Sequence, residues 1–415
     1  MSGIVLSASV RQNLLSLQST ADLLATTQNR LSTGKKVNTA LDNPTNYFTA
    51  QGLDNRASDI ANLLDGIGNG VQVLQAANAG ITSLQSLVDS AKSIANQVLQ
   101  APAGYTVKAS ATSLAPTGAG ALGVAGTAND LTNGGTNSLA SPTPLTFVFT
   151  PAAGAATTIT IGTGAGQVNS IAAFNAALTT AGLGLTASLA SNGSITLTST
   201  NDNASQTLTT GTTAAANNIA ISGTDTATLV TPTGGTAGAP VADPNSLAIR
   251  ASLVSQYNNI ITQITTTSQD SSFNGINLLN GDNLKLTFDE TGKSTLNIQG
   301  VTFNASGLSL ASLTTGTDFL DNSSANAALT KLSAASTQLR TEASALGSNL
   351  SVVQLRQDFN KNLINVLQTG ASNLTLADTN QEAANSQALS TRQSIAVSAL
   401  ALANQSQASV LQLLR

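Results

Sequence analysis

The strongest constraint on the fold of this chain is a seven-residue apolar repeat at each end of the sequence. The N-terminal repeat steps by four and three residues through Val10, Leu14, Leu17, Ala21, Leu24, Gln28 and Leu31. The C-terminal repeat keeps the same spacing through Leu389, Gln393, Ala396, Leu400, Ala403, Gln407, Val410 and Leu414. This spacing places each set along one face of a helix that packs against other helices. Both ends are therefore predicted to serve assembly rather than catalysis.

The composition excludes several classes of function. Of the 415 residues, 9% are charged, and the chain contains no His, no Cys and no Trp. A thiolate nucleophile, a Ser-His-Asp triad and a His/Cys zinc site are therefore impossible, and we predict no enzyme activity, no metal and no cofactor. Carboxylate chemistry needs a pair of acids, and the clearest pair, Asp289–Glu290, lies in a turn sequence. The net charge of −4 provides no basic stripe for nucleic acid.

No targeting or membrane segment is predicted. The start, Met1–Ala8, lacks the basic residues and the apolar run of a secretory signal. No stretch of about 18 apolar residues could span a membrane. We expect a chain that either stays in the cytoplasm or leaves the cell by a route that reads no cleavable signal.

Apolar periodicity predicts long helices on both sides of the chain's middle. They are expected at about 5–31, 44–100, 244–270, 325–374 and from 379 onward. Pro44 and Pro244 each follow a capping Asp or Asn, and Thr379 with Glu382 has the spacing of a capping box. The second helix contains Gly66, Gly68, Gly70 and Gly80, for which we favour close helix packing over a break.

The middle of the chain predicts a β-rich domain with one helix. Between residues 101 and 242 only four residues are charged, whereas Thr, Gly, Ala and Ser dominate. Alternating runs at 145–149, 158–161, 185–189 and 194–198 indicate strands, Asn192-Gly193 indicates a hairpin turn, and Ile171, Phe174 and Leu178 share a helical face. The flanks at 104–140 and 206–242 are too low in complexity to assign. A further hairpin is predicted at 284–298.

The terminal repeats also predict how copies would associate. The two ends have few charges and no core of their own, so they need neighbouring helices to be stable. Ends that pair and then stack on other copies make a heterologous contact, which propagates into a fibre when it does not close.

Several segments resemble bacterial flagellin, the subunit of the flagellar filament. The N-terminal RLSTGKKVNTALD at 30–42 is similar to the family's RLSSG…NSAKD segment. Phe273-Asn274-Gly275 is similar to the family's FNG turn, and the ALANQ and LQLLR segments near the C-terminus resemble the family's ending. The resemblance covers about residues 1–100 and 245–415, and 145–200 is similar to a small repeat of flagellins and hook-associated proteins.

The resemblance implies a mainly α fold of long antiparallel coiled-coil helices formed by both chain ends, with a hairpin in a rod domain and an inserted β-rich outer domain. Its parts would be inner-tube helices at 1–43 and 378–415, an outer-tube rod at 44–100 and 244–377, and a variable domain at 101–243. The site residues would be those of subunit packing: Val10, Leu14, Leu17, Leu24, Leu31, Leu389, Ala396, Leu400, Val410 and Leu414.

The resemblance further implies partners and a location. The partners would be further copies of the chain, the flagellar export chaperone, and the hook-associated junction and cap proteins, with no nucleic acid and no membrane. The chain would be secreted unfolded through the flagellar type III apparatus and reside in the extracellular filament.

Two features depart from well-known flagellins. The insertion lies at about 101–243, before the FNG turn rather than after it. Where the segment read by the host flagellin receptor often has Arg, Arg and Glu, this chain has Ser90, Lys92 and Ser93, which predicts weak receptor activation. Two alternatives to a filament subunit remain open: a hook–filament junction protein, and a subunit whose insert is an adhesive or glycosylated surface module.

Overall fold

The computed structural model describes residues 8–113, 131–132, 145–152, 155–191, 193–210, 218–224 and 236–413. The α-helices are α1 (Ala8–Thr33), α2 (Pro44–Gln100), α3 (Ile171–Thr180), α4 (Pro244–Asp270), α5 (Asn322–Thr375) and α6 (Thr379–Leu413). The strands are β1 (Tyr105–Val107), β2 (Ser110–Thr112), β3 (Leu145–Pro151), β4 (Thr157–Ile161), β5 (Leu185–Leu189), β6 (Ile195–Ser199), β7 (Thr207–Thr210), β8 (Asn218–Thr224), β9 (Thr236–Gly238), β10 (Val241–Ala242), β11 (Asn283–Thr287) and β12 (Thr295–Gln299).

The predicted fold class is confirmed by this element order. Long helices occupy both ends, a β-rich region is inserted after α2, and the β11–β12 hairpin follows α4. The chain forms two compact units: Met1–Gln72 with Leu284–Ile298 and Ser348–Arg415, and Val73–Asn283 with Gln299–Gly347. The division into inner-tube, outer-tube and variable parts stays a prediction.

In the first unit α1 and α6 pack together, and a separate small core joins α2 to α5. That core buries Ala57, Ile60 and Leu367 and is flanked by half-buried leucines and an isoleucine of the same two helices. The long repeat predicted on α5 explains this packing, because its apolar positions stay on one face over many turns. The buried amide of Asn360, one position of that repeat, donates a hydrogen bond of 2.9 Å to the carbonyl of Phe288.

The β11–β12 hairpin packs on the same unit through one face. Leu284, Leu286 and Phe288 alternate with exposed or half-buried residues along β11 and just beyond it, as a half-buried strand requires. Its turn holds the Asp289–Glu290 pair. Asp289 accepts hydrogen bonds from Thr291 and Ser294, which lower its pKa, and Glu290 pairs with Arg56 at 2.7 Å. Both carboxylates thus have structural partners.

The inserted region of the second unit forms two four-stranded sheets. Their strand orders are β5-β6-β2-β9 and β4-β3-β8-β7, and every pairing is antiparallel except the parallel pair β7–β8. The buried faces of both sheets and one face of α3 share a core, at whose centre Phe147, Phe149 and Phe174 lie with ring centroids 5.3 to 6.4 Å apart. The strands predicted at 145–149, 158–161, 185–189 and 194–198 are confirmed, whereas Asn192 lies outside the described residues.

The chain enters and leaves the insert at one place. Strands β1 and β10 pair there, and the amide of Asp243 donates to the carbonyl of Gly104 at 2.9 Å. Asp243 then caps α4 by accepting from the amide of Asn245. The segments whose fold could not be assigned, 104–140 and 206–242, contribute six short strands where they are described.

The turn after α4 shows why the sequence Phe273-Asn274-Gly275 is needed. Asn274 and Gly275 have φ angles of 50° and 80°, and Phe273 and Ile276 exchange both backbone hydrogen bonds. Two successive positive φ angles define the tight hairpin turn that Asn-Gly adopts most readily. Asn277 follows and ties the turn to the end of α4 by donating to the carbonyls of Ser268 and Gln269.

The predictions for the glycines of α2, the buried face of α4 and the cap of α6 need correction. The helix α2 continues through all four glycines without a break. A side chain at Gly70 would collide with Leu286 of β11, and one at Gly80 would collide with Ser271 and Leu279 after α4; these neighbours are not helical, and Gly66 and Gly68 have no close neighbour. The apolar spacing of the α4 sequence predicts one buried face that begins with Ile249 and Leu253. Ile249 is exposed, because Arg250 takes the buried place.

The capping box predicted for α6 was also wrong. Asp378, and not Thr379, caps the helix by accepting from the amides of Asn380 and Gln381. Glu382 instead turns toward α1. The carboxylate of Asp378 can reach the free N–H groups of the first turn, so the helix needs no second acid there.

Candidate assembly surface

The helices α1 and α6 form an antiparallel pair. The start of α6 lies against the end of α1, where residues 35 and 376 form an antiparallel bridge. Three backbone hydrogen bonds close this junction, from Lys36 and Val37 to the carbonyl of Thr375 and from Ala377 to that of Gly34. The positive φ of 68° at Gly34 lets the chain turn out of the helix here.

The faces that the two helices turn toward each other follow seven-residue spacing. On α6 the buried and half-buried positions are Glu382, Ser386, Leu389, Gln393, Ala396, Leu400 and Ala403, of which the sequence repeat predicted those from Leu389 onward. On α1 they include Val10, Asn13, Leu17, Thr20, Leu24 and Thr27. Three predicted positions on α1, Leu14, Gln28 and Leu31, are exposed, and the residue before each of them is buried or half-buried instead; Ala21 is half-buried as predicted.

A partly buried ion pair lies between the two helices. Arg30 of α1 donates to Glu382 of α6 at 3.4 Å, and the side chain of Glu382 is only 11% exposed. The sequence offered a signal for this pair that was missed. Glu382 is the only acid of α6, and Arg30 is the last base of α1. The helix dipole also favours an acid near a helix N-terminus, so it stabilises the negative charge of Glu382 in addition to the ion pair with Arg30.

The outer faces of the pair retain large apolar side chains. On α1, Leu15 and Leu23 are 67% and 53% exposed, and on α6 Ile395 and Leu402 are 63% and 70% exposed. The half of α5 in the same unit exposes a further row formed by Val352, Leu355, Phe359 and Val366. Contiguous apolar patches of this kind on a protein surface mark sites where another molecule packs.

The sequence-predicted packing residues thus fall into three groups. Val10, Leu17, Leu24, Leu389, Ala396 and Leu400 face the partner helix within the chain. Leu14 and Leu31 are exposed. The side chain of Val410 and the whole of Leu414 lie outside the described residues. A role of any of them in packing between copies stays a prediction.

The segment that aligns with the receptor-read region lies on α2. Ser90 and Ser93 are exposed, and the Ser90 hydroxyl donates to the carbonyl of Ser86 one turn earlier. Lys92 is half-buried, with its ammonium 3.9 Å from Asp89. The segment thus presents two small hydroxyls and one tethered cation.

The described helices contain no stretch that meets the length and apolarity needed to cross a membrane. Within the described ranges, no group of acidic side chains is arranged to hold a metal ion.

Two family models match the helical ends of the chain. The N-terminal helical region of bacterial flagellin matches residues 5–115, and the C-terminal helical region of bacterial flagellin matches residues 329–414. These matches contain α1 and α2 on one side, and nearly all of α5 together with α6 on the other. The matched regions thus contain α1 and α6, the two helices that pack as an antiparallel pair.

Curated relatives agree with the family models. Flagellin FljK of Caulobacter vibrioides is 34% identical over 168 residues, and flagellin FljM of the same organism is 31% identical over 167 residues; each match covers 39% of this chain and 59% of the relative. Flagellin A of Rhizobium meliloti is 34% identical over 90 residues, which are 22% of this chain and 23% of the relative. Residues 5–115 and 329–414 therefore match the bacterial flagellin family, a family of structural proteins. The chain spans 59% of the length of the two Caulobacter relatives.

Proposed function

We propose that this chain is a structural subunit of a bacterial flagellar filament, without enzyme activity, that polymerises through its terminal helices. The observation that carries this proposal is the pair α1–α6. The faces that α1 and α6 turn toward each other are packed within the chain. The opposite faces carry large apolar side chains that are more than half exposed, namely Leu15, Leu23, Ile395 and Leu402. Burying such side chains is favourable, so further copies of the same helices would stabilise the pair.

Export and location follow from the same proposal. The chain leaves the cell unfolded through the flagellar export apparatus and folds in the extracellular filament. The terminal helices favour this route because their stability comes largely from packing rather than from their own sequence. The export chaperone, the hook-associated junction proteins and the cap are the further partners.

Seeded polymerisation tests the proposal. Purified chain is added to short sheared filaments, and growth is followed by light scattering and electron microscopy. Leu402→Glu places a charge on the outer apolar face of α6 and is expected to slow growth by about tenfold or more, since burying an unpaired charge is costly. Gln387→Glu adds the same charge near the start of the helix, outside the apolar row, and is the matched control.

The outcome also separates the two structural alternatives. A filament subunit extends the seeds to micrometre length, whereas a junction protein adds a short terminal layer and stops. If the parent chain neither extends the seeds nor caps them, the proposed function is wrong. Circular dichroism of each monomer shows whether a variant fails to assemble because it fails to fold.

A glycosylated insert is a second possibility that one feature favours. The outer face of the β5-β6-β2 part of the first sheet carries Thr or Ser at each described position, including exposed Thr186 and Ser188. These hydroxyls could accept O-linked sugars. Intact-mass measurement of the chain isolated from filaments decides this: a mass equal to that of the bare chain excludes the modification.

A further inference from the structure

The loop between α1 and α2 is tightly held. One oxygen of the Asp42 carboxylate accepts three hydrogen bonds: from the amide of Asn38 at 3.0 Å, the amide of Thr39 at 2.8 Å and the Thr39 hydroxyl at 3.1 Å. The amide of Asp42 donates in return to the carbonyl of Thr39, and Val37 is buried beneath the loop. The junction loop, residues 34–43, therefore has a defined shape.

This ordered loop presents an apolar residue to solvent. Leu41 is 95% exposed, the highest value among the exposed large apolar residues of the described chain. A flexible loop could fold such a side chain inward, but the hydrogen bonds around Asp42 hold it out. A side chain that the loop already holds in an exposed position is suited to binding. The conformational entropy of ordering the loop is lost before the partner arrives, so it does not weaken the association.

A shallow, open groove lies on the surface of α1. Leu15, Gln18, Ser19, Asp22, Leu23 and Thr26 line a groove of about 390 Å³. At 3.6 residues per turn these positions share the side of the helix opposite Val10, Leu17 and Leu24, which face α6. The groove is thus free in the single chain. Its lining consists of two leucines, three uncharged polar residues and one acidic residue.

The charges beside the two features are opposite. Lys35 and Lys36 are exposed on the junction loop that carries Leu41, whereas Asp22 lines the groove. Leu41 does not occupy the groove of its own chain, since it is almost fully exposed. A projection and a recess at different places on one molecule make a heterologous contact, and such contacts propagate from copy to copy.

We propose that Leu41 of one copy inserts into the α1 groove of a neighbouring copy, between Leu15 and Leu23, while Lys35 and Lys36 face Asp22. The occupant is a second copy of this chain, so the inference rests on the proposed function and names one of its contacts. Asp42 acts as a positioning residue, because it shapes the loop without touching the neighbour.

Charge reversal provides the first test, read as the critical concentration for growth from seeds. Asp22→Lys is expected to raise that concentration by about tenfold through like-charge juxtaposition. Lys35→Asp with Lys36→Asp is expected to do the same. The triple variant carries both changes in every copy and is expected to return to within about twofold of the parent. Failure of the triple variant to recover growth, with its monomer folded, overturns the pairing.

Cysteine cross-linking provides the second test and does not depend on stability. The chain has no Cys of its own. Unlabelled Leu41→Cys chains and isotope-labelled Leu23→Cys chains, distinguished by the added mass of the label, are co-polymerised and oxidised. A disulfide joins them only if the Cα atoms approach within about 7 Å. Leu41→Cys mixed with Gln28→Cys is the control, because Gln28 is exposed on α1 outside the groove.

The outcomes separate the inference from the proposed function. A mixed disulfide with Leu23→Cys, and none with Gln28→Cys, supports the contact. Filament growth by the parent chain without that disulfide overturns this inference alone. Absence of growth by the parent overturns both.

Discussion

The guanidinium of Arg250 donates a hydrogen bond of 3.0 Å to the carbonyl of Phe319, from a side chain that is only 2% exposed. The same group donates to the carbonyls of Pro102 and Ala101 at the end of α2 and to the amide oxygen of Asn322 at the start of α5. One buried cation thereby joins α4 to both neighbouring helix ends at the base of the insert. Burial lowers the pKa of Arg250, and the nearby charge of Asp321 acts in the opposite direction.

Replacing Arg250 by Met should destabilise the second unit strongly. The change leaves three backbone carbonyls without their donor, and each buried unsatisfied group costs about 1–3 kcal/mol. We expect a loss of at least about 3 kcal/mol in the free energy of unfolding, measured by urea denaturation of the monomer with circular dichroism. Arg340→Met on the exposed side of α5 is the control and should change it by less than about 0.5 kcal/mol. Equal effects of the two variants would contradict the role assigned to Arg250.

Asn175 should protect the outer edge of β5. Its side-chain amide donates to the carbonyl of Ala187 at 2.9 Å and accepts from the amide of Ala187 at 2.6 Å, as a neighbouring strand would. Open strand edges pair with other molecules, and projecting domains in a polymer are crowded together. Asn175→Ala should cost about 1–3 kcal/mol and increase lateral bundling of filaments in electron micrographs. Asn201→Ala, at an exposed position, is the control; unchanged stability and bundling in both variants would refute the idea.

The junction loop should loosen in acid. Hydrogen bonds from the amides of Thr39 and Asn38 lower the pKa of Asp42 below its usual value of 3.8. A carboxyl group with a lowered folded-state pKa contributes stability above its unfolded pKa and loses it as the pH falls through the folded value. Hydrogen exchange of residues 38–42, corrected for its intrinsic pH dependence, should therefore show full protection above about pH 4 and a loss of protection as the pH falls below it. Asp42→Asn should lack this dependence, and a parent profile that is flat across the range would argue against it.

Removal of the insert should leave the helical parts folded. Because the carbonyl of Gly104 already accepts from the amide of Asp243, residues 105–242 can be deleted and the ends joined by a short glycine linker. We expect a monomer of higher helical fraction that still extends seeds into a thinner filament. Electron microscopy measures the diameter. A folded deletion variant that cannot assemble would show that the insert belongs to the polymerisation contacts.

The host flagellin receptor should respond weakly to this chain. Ser90 and Ser93 present only small hydroxyls on α2, and Lys92 is held beside Asp89. Replacing Ser90 and Lys92 by Arg and Ser93 by Glu should raise signalling by purified monomer in a receptor reporter assay. The three positions are changed on one helix without altering a buried residue. Strong signalling by the parent at ordinary flagellin doses would contradict the prediction.

Local signals in the sequence predicted most of the elements. Pro44 and Pro244 mark helix starts, and the repeat on α5 held its face from Ala325 to Ala371. These signals are local because caps, turns and periodicity act within a few residues of each other. The α1 repeat was less decisive. Asn13 and Leu14 lie on the two flanks of the face formed by Val10 and Leu17, and the apolar repeat favoured Leu14, whereas the structure half-buries Asn13.

The sequence by itself determined the helix lengths, the hairpins, the place of the insert and the likeness to flagellin, because each depends on residues that are neighbours along the chain. Only the tertiary structure decided the pairs that join distant segments. Arg30 meets Glu382 across 352 positions, and β2 lies between β6 and β9. The sequence of a short Thr- and Ala-rich strand does not identify the strand with which it pairs. A charged residue acquires an ion-pair partner only when packing brings the two side chains close together. The terminal repeats therefore predicted that the two ends are made for packing, and the fold decided which faces are used within the chain and which remain for another copy.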